Sequence, residues 1–113
     1  MTPEESRAVA ARALSLLDLT DLREGMEEAD ADRLCARAVS RFGAVAAVCL
    51  WPRFGSRAKA RLAGTGVRVA VVVNFPAGGE DPAAAAAEAA GAVADGVDEI
   101  DMVLPWRAVL RGE

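Results

Sequence analysis

The fold is decided by Val67-Arg68-Val69-Ala70-Val71-Val72-Val73, a run of almost entirely β-branched residues. Such a run predicts a strand that is buried on both faces. Gly64 and Gly66 precede it, and the turn Asn74-Phe75-Pro76-Ala77-Gly78-Gly79 follows it, so both ends carry turn signals. Strands buried on both faces belong to parallel sheets covered by helices, and the run therefore indicates an α/β fold.

Further strands are predicted on both sides of this run. Residues 44–51 form a short apolar run that ends at a proline. Residues 97–104, which include three acidic residues and are also followed by a proline, are predicted as the third strand. Between the runs, residues 54–63 predict a short basic helix and residues 81–96 an alanine-rich helix. The order strand–helix–strand–helix–strand requires parallel strands, but it fits either an open doubly wound sheet or part of a (β/α)8 barrel.

The residues before the first apolar run predict helices. Thr2-Pro3-Glu4-Glu5 has the pattern of a capping box, residues 18–21 interrupt the helical spacing as a loop, and a second helix is expected over 27–40. We therefore expect a single partial domain over 1–113. Its expected parts are a helical lead-in at 1–43, three parallel strands with two crossover helices at 44–104, and the start of a truncated helix at 105–113.

The composition excludes several classes of protein. The chain has 113 residues, 53% hydrophobic and 27% charged, which suits one soluble domain at most. A formal net charge of −4 argues against nucleic-acid binding, which needs a basic surface. No apolar run reaches the roughly 18 residues of a membrane helix. The acidic start Met1-Thr2-Pro3-Glu4-Glu5 is unlike a signal peptide, so a cytoplasmic protein is expected.

The reactive residue types are few. Histidine is absent, which excludes histidine-based acid–base chemistry. Cys35 and Cys49 are too few and too far apart for a disulfide scaffold or a redox pair, and no metal site is expected.

Three candidate functional residues fall where parallel strands end, which is where ligands of such folds bind. They are Cys49, Asn74 and Asp101. Alternation along a strand places Asp101 on the same face as Glu99. A carboxylate within a central strand is costly unless it is paired or has a function, so Asp101 is the strongest candidate.

Each candidate also has a structural interpretation. Asp101 would be satisfied by an ion pair with Arg53 or Arg107. Cys49 suits a small buried side chain, and Asn74 is typical of a turn.

Two further patterns are weak. Gly78-Gly79 before the helix start at Asp81 suggests a phosphate-binding loop, but Glu80 and Asp81 stand where the anion would lie. The basic residues of the short helix, Arg57, Lys59 and Arg61, are expected to form a solvated face.

Four segments, in order and at similar spacing, resemble the deoxyribose-phosphate aldolase family. They are Leu16-Leu17-Asp18-Leu19-Thr20, Ala47-Val48-Cys49-Leu50-Trp51-Pro52-Arg53-Phe54, Val73-Asn74-Phe75-Pro76-Ala77-Gly78 and Asp98-Glu99-Ile100-Asp101-Met102-Val103-Leu104. The resemblance covers essentially the whole chain but only the N-terminal half of the family's barrel. It implies the first three βα units of a (β/α)8 TIM barrel, with a helical lead-in and an incomplete barrel.

The resemblance also implies an activity. The family are lyases of deoxyribose phosphate catabolism, class I aldolases that reversibly cleave 2-deoxy-D-ribose 5-phosphate to acetaldehyde and D-glyceraldehyde 3-phosphate. They use a lysine Schiff base and neither metal nor cofactor. By match of motifs, Asp101 is the catalytic aspartate of the proton relay. Cys49 and Asp18 line the site, and Asn74, at the end of the next strand, is expected to line it too.

The Schiff-base lysine is not among these residues. In the family it lies in the second half of the barrel, whereas Lys59, the one lysine here, follows the first strand and is expected on the outside. The chain alone is therefore expected to be inactive, with a phosphorylated sugar as the substrate of the complete enzyme. The alternative is a non-catalytic half-barrel fragment that self-associates through exposed sheet edges as a homo-oligomer, or that complements a second chain. Neither nucleic acid nor membrane is an expected partner.

Overall fold

One or more strands separate each α-helix from the next in the computed structural model, which describes residues 1–113. The helices are α1 (Pro3–Ser15), α2 (Glu28–Arg37), α3 (Gly55–Arg61), α4 (Pro82–Ala94) and α5 (Trp106–Leu110), with a 3-10 turn at Pro52–Phe54. The strands are β1 (Asp18–Thr20), β2 (Val39–Ser40), β3 (Gly43–Ala44), β4 (Ala47–Leu50), β5 (Arg68–Val73) and β6 (Glu99–Met102). None of the helices combines the length and apolarity needed to cross a bilayer.

The main sheet has four strands in the order β1-β4-β5-β6, all parallel, and β2 and β3 form a separate antiparallel pair. The spatial order of the four strands is their order along the chain. Each crossover therefore adds its strand at the same edge. A doubly wound sheet instead reverses direction at a switch point, so the order is that of a growing βα barrel.

The first strand of this sheet corrects the predicted loop at residues 18–21. Asp18–Thr20 pairs in parallel with β4, with Leu19 opposite Val48. The main-chain N–H of Asp21 then donates to the Cys49 oxygen at 3.0 Å. Only Leu19 of the three strand residues is even partly buried, so the segment has no apolar run. Its strand conformation comes from pairing with β4, a contact that local periodicity does not reveal.

The largest apolar cluster lies on the sheet face covered by α2 and α3. Val48, Leu50, Val69 and Val71 are completely buried there. They pack in one cluster with Leu34 of α2, Ala58 of α3 and Leu62, which directly follows α3. A smaller cluster of Cys49, Ala70 and Val72 lies on the opposite face. The two faces follow from the alternation of side chains along β4 and β5.

Ion pairs join the two helices of the covered face, and the basic side chains of α3 that form them stay partly exposed to solvent. Arg57 donates twice to the Asp32 carboxylate of α2, at 2.7 and 2.9 Å, and Arg61 donates to it at 3.0 Å. Lys59 pairs with Asp98 at 3.0 Å. Lys59 therefore lies on the helical side of the sheet, as predicted.

Strand β6 forms an edge of the sheet, whereas Asp101 was expected in a central strand. All four residues of β6 are exposed, and Met102 keeps 51% of its surface. Helix α4, rich in alanine, buries only Ala92. The sheet is thus poorly covered at its β6 end.

Candidate active site

The candidate site lies on the sheet face opposite α2 and α3, which we call the inner face. Its strand positions are Asp18 and Thr20 of β1, Ala47 and Cys49 of β4, Arg68, Ala70 and Val72 of β5, and Glu99 and Asp101 of β6. The sheet register aligns Thr20, Cys49, Ala70 and Glu99 in one row. Val72 and Asp101 form the next row toward the carboxyl ends of the strands.

Cys49 is the buried centre of this face, with 3% of its surface exposed. Burial raises the pKa of its thiol to about 11, and the negative charges of Asp101, Asp18 and Glu99 add to that effect in this order. The thiol is protonated at neutral pH and is therefore a poor nucleophile. This environment fits a small packing residue beside a site and not an attacking group.

Asp101 is exposed on the same face and makes neither an ion pair nor a side-chain hydrogen bond. The ion pairs considered for it are not formed. Arg53 donates to the Met26 main-chain oxygen at 3.2 Å, and Arg107 donates to the Ala77 oxygen at 3.2 Å. The Asp101 carboxylate is consequently free to interact with a molecule or segment that enters the inner face.

Asp18 and Glu99 are also exposed and unpaired through their side chains. Arg68 is the one basic residue among the inner-face strand positions. No group of three acidic or cysteine side chains is close enough to hold a metal ion. The inner face is thus acidic, with its carboxylates spread over two strands.

Asn74 has a structural role that the sequence left open. Its backbone is left-handed, with φ of 58°, which asparagine tolerates better than most residues. Its side-chain amide donates to the main-chain oxygens of Gly79 at 2.9 Å and Val103 at 3.1 Å. Both amide hydrogens are used within the protein, so this geometry favours the turn-forming interpretation.

The start of α4 is not a phosphate site. The Asp81 carboxylate accepts from the main-chain N–H groups of Ala83 at 3.0 Å and Ala84 at 3.2 Å. Glu80 pairs with Arg111, and that contact holds the pKa of the Glu80 carboxyl below its usual value. The weak loop pattern is therefore explained by helix capping.

Three residues missing from the candidate set cover the inner-face cluster. Leu22, Trp51 and Phe75 pack on it, and the two aromatic rings meet edge to face at 5.4 Å. The Trp51 indole N–H donates to the Arg23 main-chain oxygen at 3.0 Å. Trp51 and Phe75 lie just after two predicted strands, and that position could have identified them as residues near the site. Leu22 follows β1, which was predicted as a loop, so its position gave no such indication.

Comparison with known proteins is consistent with this geometry. Residues 12–113 match the family described as DeoC/LacD family aldolase. The chain is 46% identical over 114 aligned positions to a deoxyribose-phosphate aldolase of Agrobacterium fabrum (strain C58), an alignment that takes in all of this chain and 44% of that protein. The chain therefore spans less than half the length of that curated relative.

Two solved structures share the fold. One, from Coccidioides immitis and provisionally assigned as a deoxyribose-phosphate aldolase, is 34% identical with a TM-score of 0.76, over 81% of this chain and 36% of that one. The other, from Toxoplasma gondii ME49 with the same provisional assignment, is 26% identical with a TM-score of 0.80, over 93% and 40%. The predicted α/β partial barrel is confirmed, with four strands where three were expected. By sequence and by fold, the chain belongs to the DeoC/LacD family of aldolases.

Proposed function

We propose that this chain supplies the first four strands of a deoxyribose-phosphate aldolase, with Asp101 as its proton-carrying residue. The reaction is the reversible aldol cleavage of 2-deoxy-D-ribose 5-phosphate to acetaldehyde and D-glyceraldehyde 3-phosphate. The observation that carries the proposal is the unpaired, exposed Asp101 carboxylate on the inner face, within a segment 46% identical to a named aldolase of this kind.

The chemistry needs a carboxylate of this kind. A neutral lysine amine adds to the substrate carbonyl, and the resulting carbinolamine loses its hydroxyl as water once that oxygen is protonated. The iminium ion that remains accepts the electron pair of the carbon–carbon bond as the C3 hydroxyl loses its proton, which releases D-glyceraldehyde 3-phosphate and leaves an enamine. The enamine then takes a proton at carbon, and hydrolysis releases acetaldehyde and the lysine amine. A carboxylate that exchanges protons with water serves both steps, and positioned acid–base groups contribute about 10²–10⁴ in rate.

The amine must come from outside these residues. Lys59 pairs with Asp98 on the helical side of the sheet, separated by the sheet itself from the inner face. Asp18, Cys49 and Glu99 would line the site around Asp101, with Asn74 holding the turn beside it. The chain alone has no Schiff-base lysine and is expected to be inactive on its phosphorylated sugar substrate.

The test is to restore the missing strands. The chain is co-expressed with the part of the Agrobacterium fabrum relative that follows the aligned region, and cleavage of 2-deoxy-D-ribose 5-phosphate is measured. We expect activity from the pair, and a loss of about 10²–10⁴ on Asp101→Asn. Asp95→Asn, an exposed change at the end of α4, is the control and should leave turnover unchanged. Full activity in Asp101→Asn would refute the assigned role.

A second candidate function rests on the free edges of the sheet. Strands β1 and β6 each lack a neighbour on one side, so the chain has unpaired main-chain groups at both edges. A non-catalytic half-barrel would pair these edges with a second copy as a homo-oligomer, or with another chain. Sedimentation velocity of the chain alone tests self-association, and a strictly monomeric species would refute it.

A further inference from the structure

The segment between β1 and α2, residues 21–27, passes from one face of the sheet to the other. Leu22 packs on the inner-face cluster that contains Cys49, whereas Met26 is buried in the cluster on the opposite face. The segment forms neither helix nor strand of its own. Its position over the inner face therefore depends on contacts with other parts of the chain.

Three hydrogen bonds join segment 21–27 to β4 and to the residues that follow β4. The Asp21 main-chain N–H donates to the Cys49 oxygen at 3.0 Å, the Trp51 indole N–H to the Arg23 oxygen at 3.0 Å, and the Arg53 guanidinium to the Met26 oxygen at 3.2 Å. The first extends the pairing of β1 with β4. The middle and the end of the segment are held by the two side chains, Trp51 and Arg53.

The guanidinium of Arg53 is itself held in place by aromatic rings. Its central carbon lies 5.5 Å from the centre of the Trp51 ring and 4.6 Å from the centre of the Phe54 ring, and Phe54 is buried. Arg53 forms no ion pair, so no carboxylate draws the group away from the rings. Contact with ring faces restricts a guanidinium, and a restricted donor loses little freedom on forming a hydrogen bond.

Trp51 connects Arg53 to the inner face. The same ring that contacts Arg53 packs on the inner-face cluster and meets the Phe75 ring edge to face at 5.4 Å. Loss of the Arg53 guanidinium would therefore release the Met26 end of the segment and remove a contact from the Trp51 ring at the same time.

From these contacts we propose that Arg53 is a positioning residue of the candidate site. It acts through the Met26 main-chain oxygen and the Trp51 ring to hold segment 21–27. Leu22 consequently stays packed on the inner-face cluster. The inference rests on the proposed function, because Leu22 then forms part of the wall of that site, but its test needs no turnover.

The test compares the alkylation rates of the two cysteines in the whole chain, by iodoacetamide treatment and peptide mass spectrometry. Cys49 lies in the inner-face cluster and Cys35 in the cluster on the opposite face, with 3% and 5% of their surfaces exposed. A buried thiol reacts when the structure around it opens, so each rate measures the opening that exposes that cysteine. Release of segment 21–27 would raise the rate at Cys49 alone, whereas a weaker fold would raise both rates.

Arg53→Met keeps an apolar stem and removes the donor and the charge. We expect it to raise the alkylation rate of Cys49 about tenfold or more and to leave that of Cys35 within about twofold of the parent. Trp51→Phe keeps a ring beside Phe75 but removes the indole donor, and it should raise the rate at Cys49 about three- to tenfold.

Arg41→Met is the matched control. It also removes an arginine that contacts an aromatic ring, here 4.6 Å from the centre of Phe42, but Arg41 lies between β2 and β3. This variant should leave both alkylation rates as in the parent. Circular dichroism of each variant establishes that the chain stays folded.

An unchanged rate at Cys49 in Arg53→Met, or equal rises at both cysteines, would overturn the inference. If Arg53→Met does not fold, Trp51→Phe decides in its place by the same two criteria. These outcomes are distinct from failure of the proposed function. A rise at Cys49 alone supports the role of Arg53 even if the restored enzyme is inactive, and an active enzyme whose Cys49 does not respond refutes that role and leaves the function standing.

Discussion

The side-chain amide of Asn74 donates to the main-chain oxygen of Val103 at 3.1 Å, joining the turn after β5 to the end of β6. Its second hydrogen bond, to the Gly79 oxygen at 2.9 Å, closes the same turn. Asp101 lies two residues before Val103 along the chain. One amide thus fixes both the turn and the strand end that carries the proposed proton-transfer residue.

Replacement of Asn74 should show that its two donated hydrogen bonds contribute more to the stability of the protein than the size of its side chain does. Asn74→Asp keeps the shape but sets a carboxylate against two carbonyl oxygens, and we expect a loss of about 2–3 kcal/mol in the free energy of unfolding. Asn74→Gly keeps the left-handed backbone accessible and should cost about 1–2 kcal/mol. Urea denaturation measures both. An Asp variant as stable as the parent would contradict this role.

Gly78→Ala should destabilise the contact between this turn and α5. Gly78 has φ of 64°, and an added Cβ would lie 2.6 Å from the Leu104 oxygen and 2.7 Å from the Trp106 ring. The control is Gly96→Ala, at φ of 84° with nothing within 4 Å of the added atom. The control should cost about 1 kcal/mol, and Gly78→Ala about 1–3 kcal/mol more. Equal losses of stability in the two variants, measured by urea denaturation, would show that the neighbouring atoms move away from the added Cβ without cost.

Cys49 should make the protein less stable in alkali. The folded thiol has a pKa of about 11, against about 8.5 when unfolded, so the folded state keeps a proton that the unfolded state releases. The contribution of the protonated thiol to the free energy of unfolding is complete below about pH 8.5 and is lost as the pH rises toward 11. Tyrosine is absent and lysine occurs once, so few other side chains titrate in this interval.

Urea denaturation at pH 8 and pH 10 tests this dependence. Cys49→Ala should cost about 1 kcal/mol near neutral pH, through the cavity it leaves, and should flatten the decline above pH 8.5. Cys35→Ala is the comparison variant. Burial also raises the pKa of Cys35, but the inner-face carboxylates do not contribute to it, so this change should flatten the decline less than Cys49→Ala does. An undiminished decline in Cys49→Ala would contradict the raised thiol pKa.

The strands with apolar runs were predictable, and those defined by their partners were not. β4 and β5 are buried over nearly their whole length, which is why their composition alone predicts them. β1 has one partly buried residue and becomes a strand only through its pairing with β4. Alternation correctly placed Glu99 and Asp101 on one face.

Long-range contacts limited the prediction of the site in the same way. Whether Asp101 pairs with an arginine depends on where Arg53 and Arg107 point, and both donate to main-chain oxygens instead. The ion pair between Arg57 and Asp32 joins residues 25 positions apart. Neither the pattern of residues nor their spacing determines such contacts, because they depend on how the helices pack.

The charged carboxylate of Asp98 should stabilise the folded protein at neutral pH, and this stabilisation should be lost in acid. Its carboxylate accepts from the Val69 main-chain N–H at 2.8 Å and from the Lys59 ammonium at 3.0 Å. The hydrogen bond from Val69, and then the contact with Lys59, hold the pKa of Asp98 below its usual value. Because the folded pKa is the lower one, the contribution is present above about pH 4 and disappears as the pH falls through the folded value.

We therefore expect Asp98→Asn to cost about 1 kcal/mol at pH 7, with the difference from the parent protein shrinking below pH 4. Lys59→Met removes only the exposed ion pair and should cost less, because the hydrogen bond to Val69 remains. Asp95→Asn, which removes a carboxylate that accepts no hydrogen bond, serves as the control and should change little at any pH. Urea denaturation from pH 7 to pH 3 separates these cases. If the loss of stability in Asp98→Asn persisted undiminished in acid, packing and not the charged acceptor would account for it.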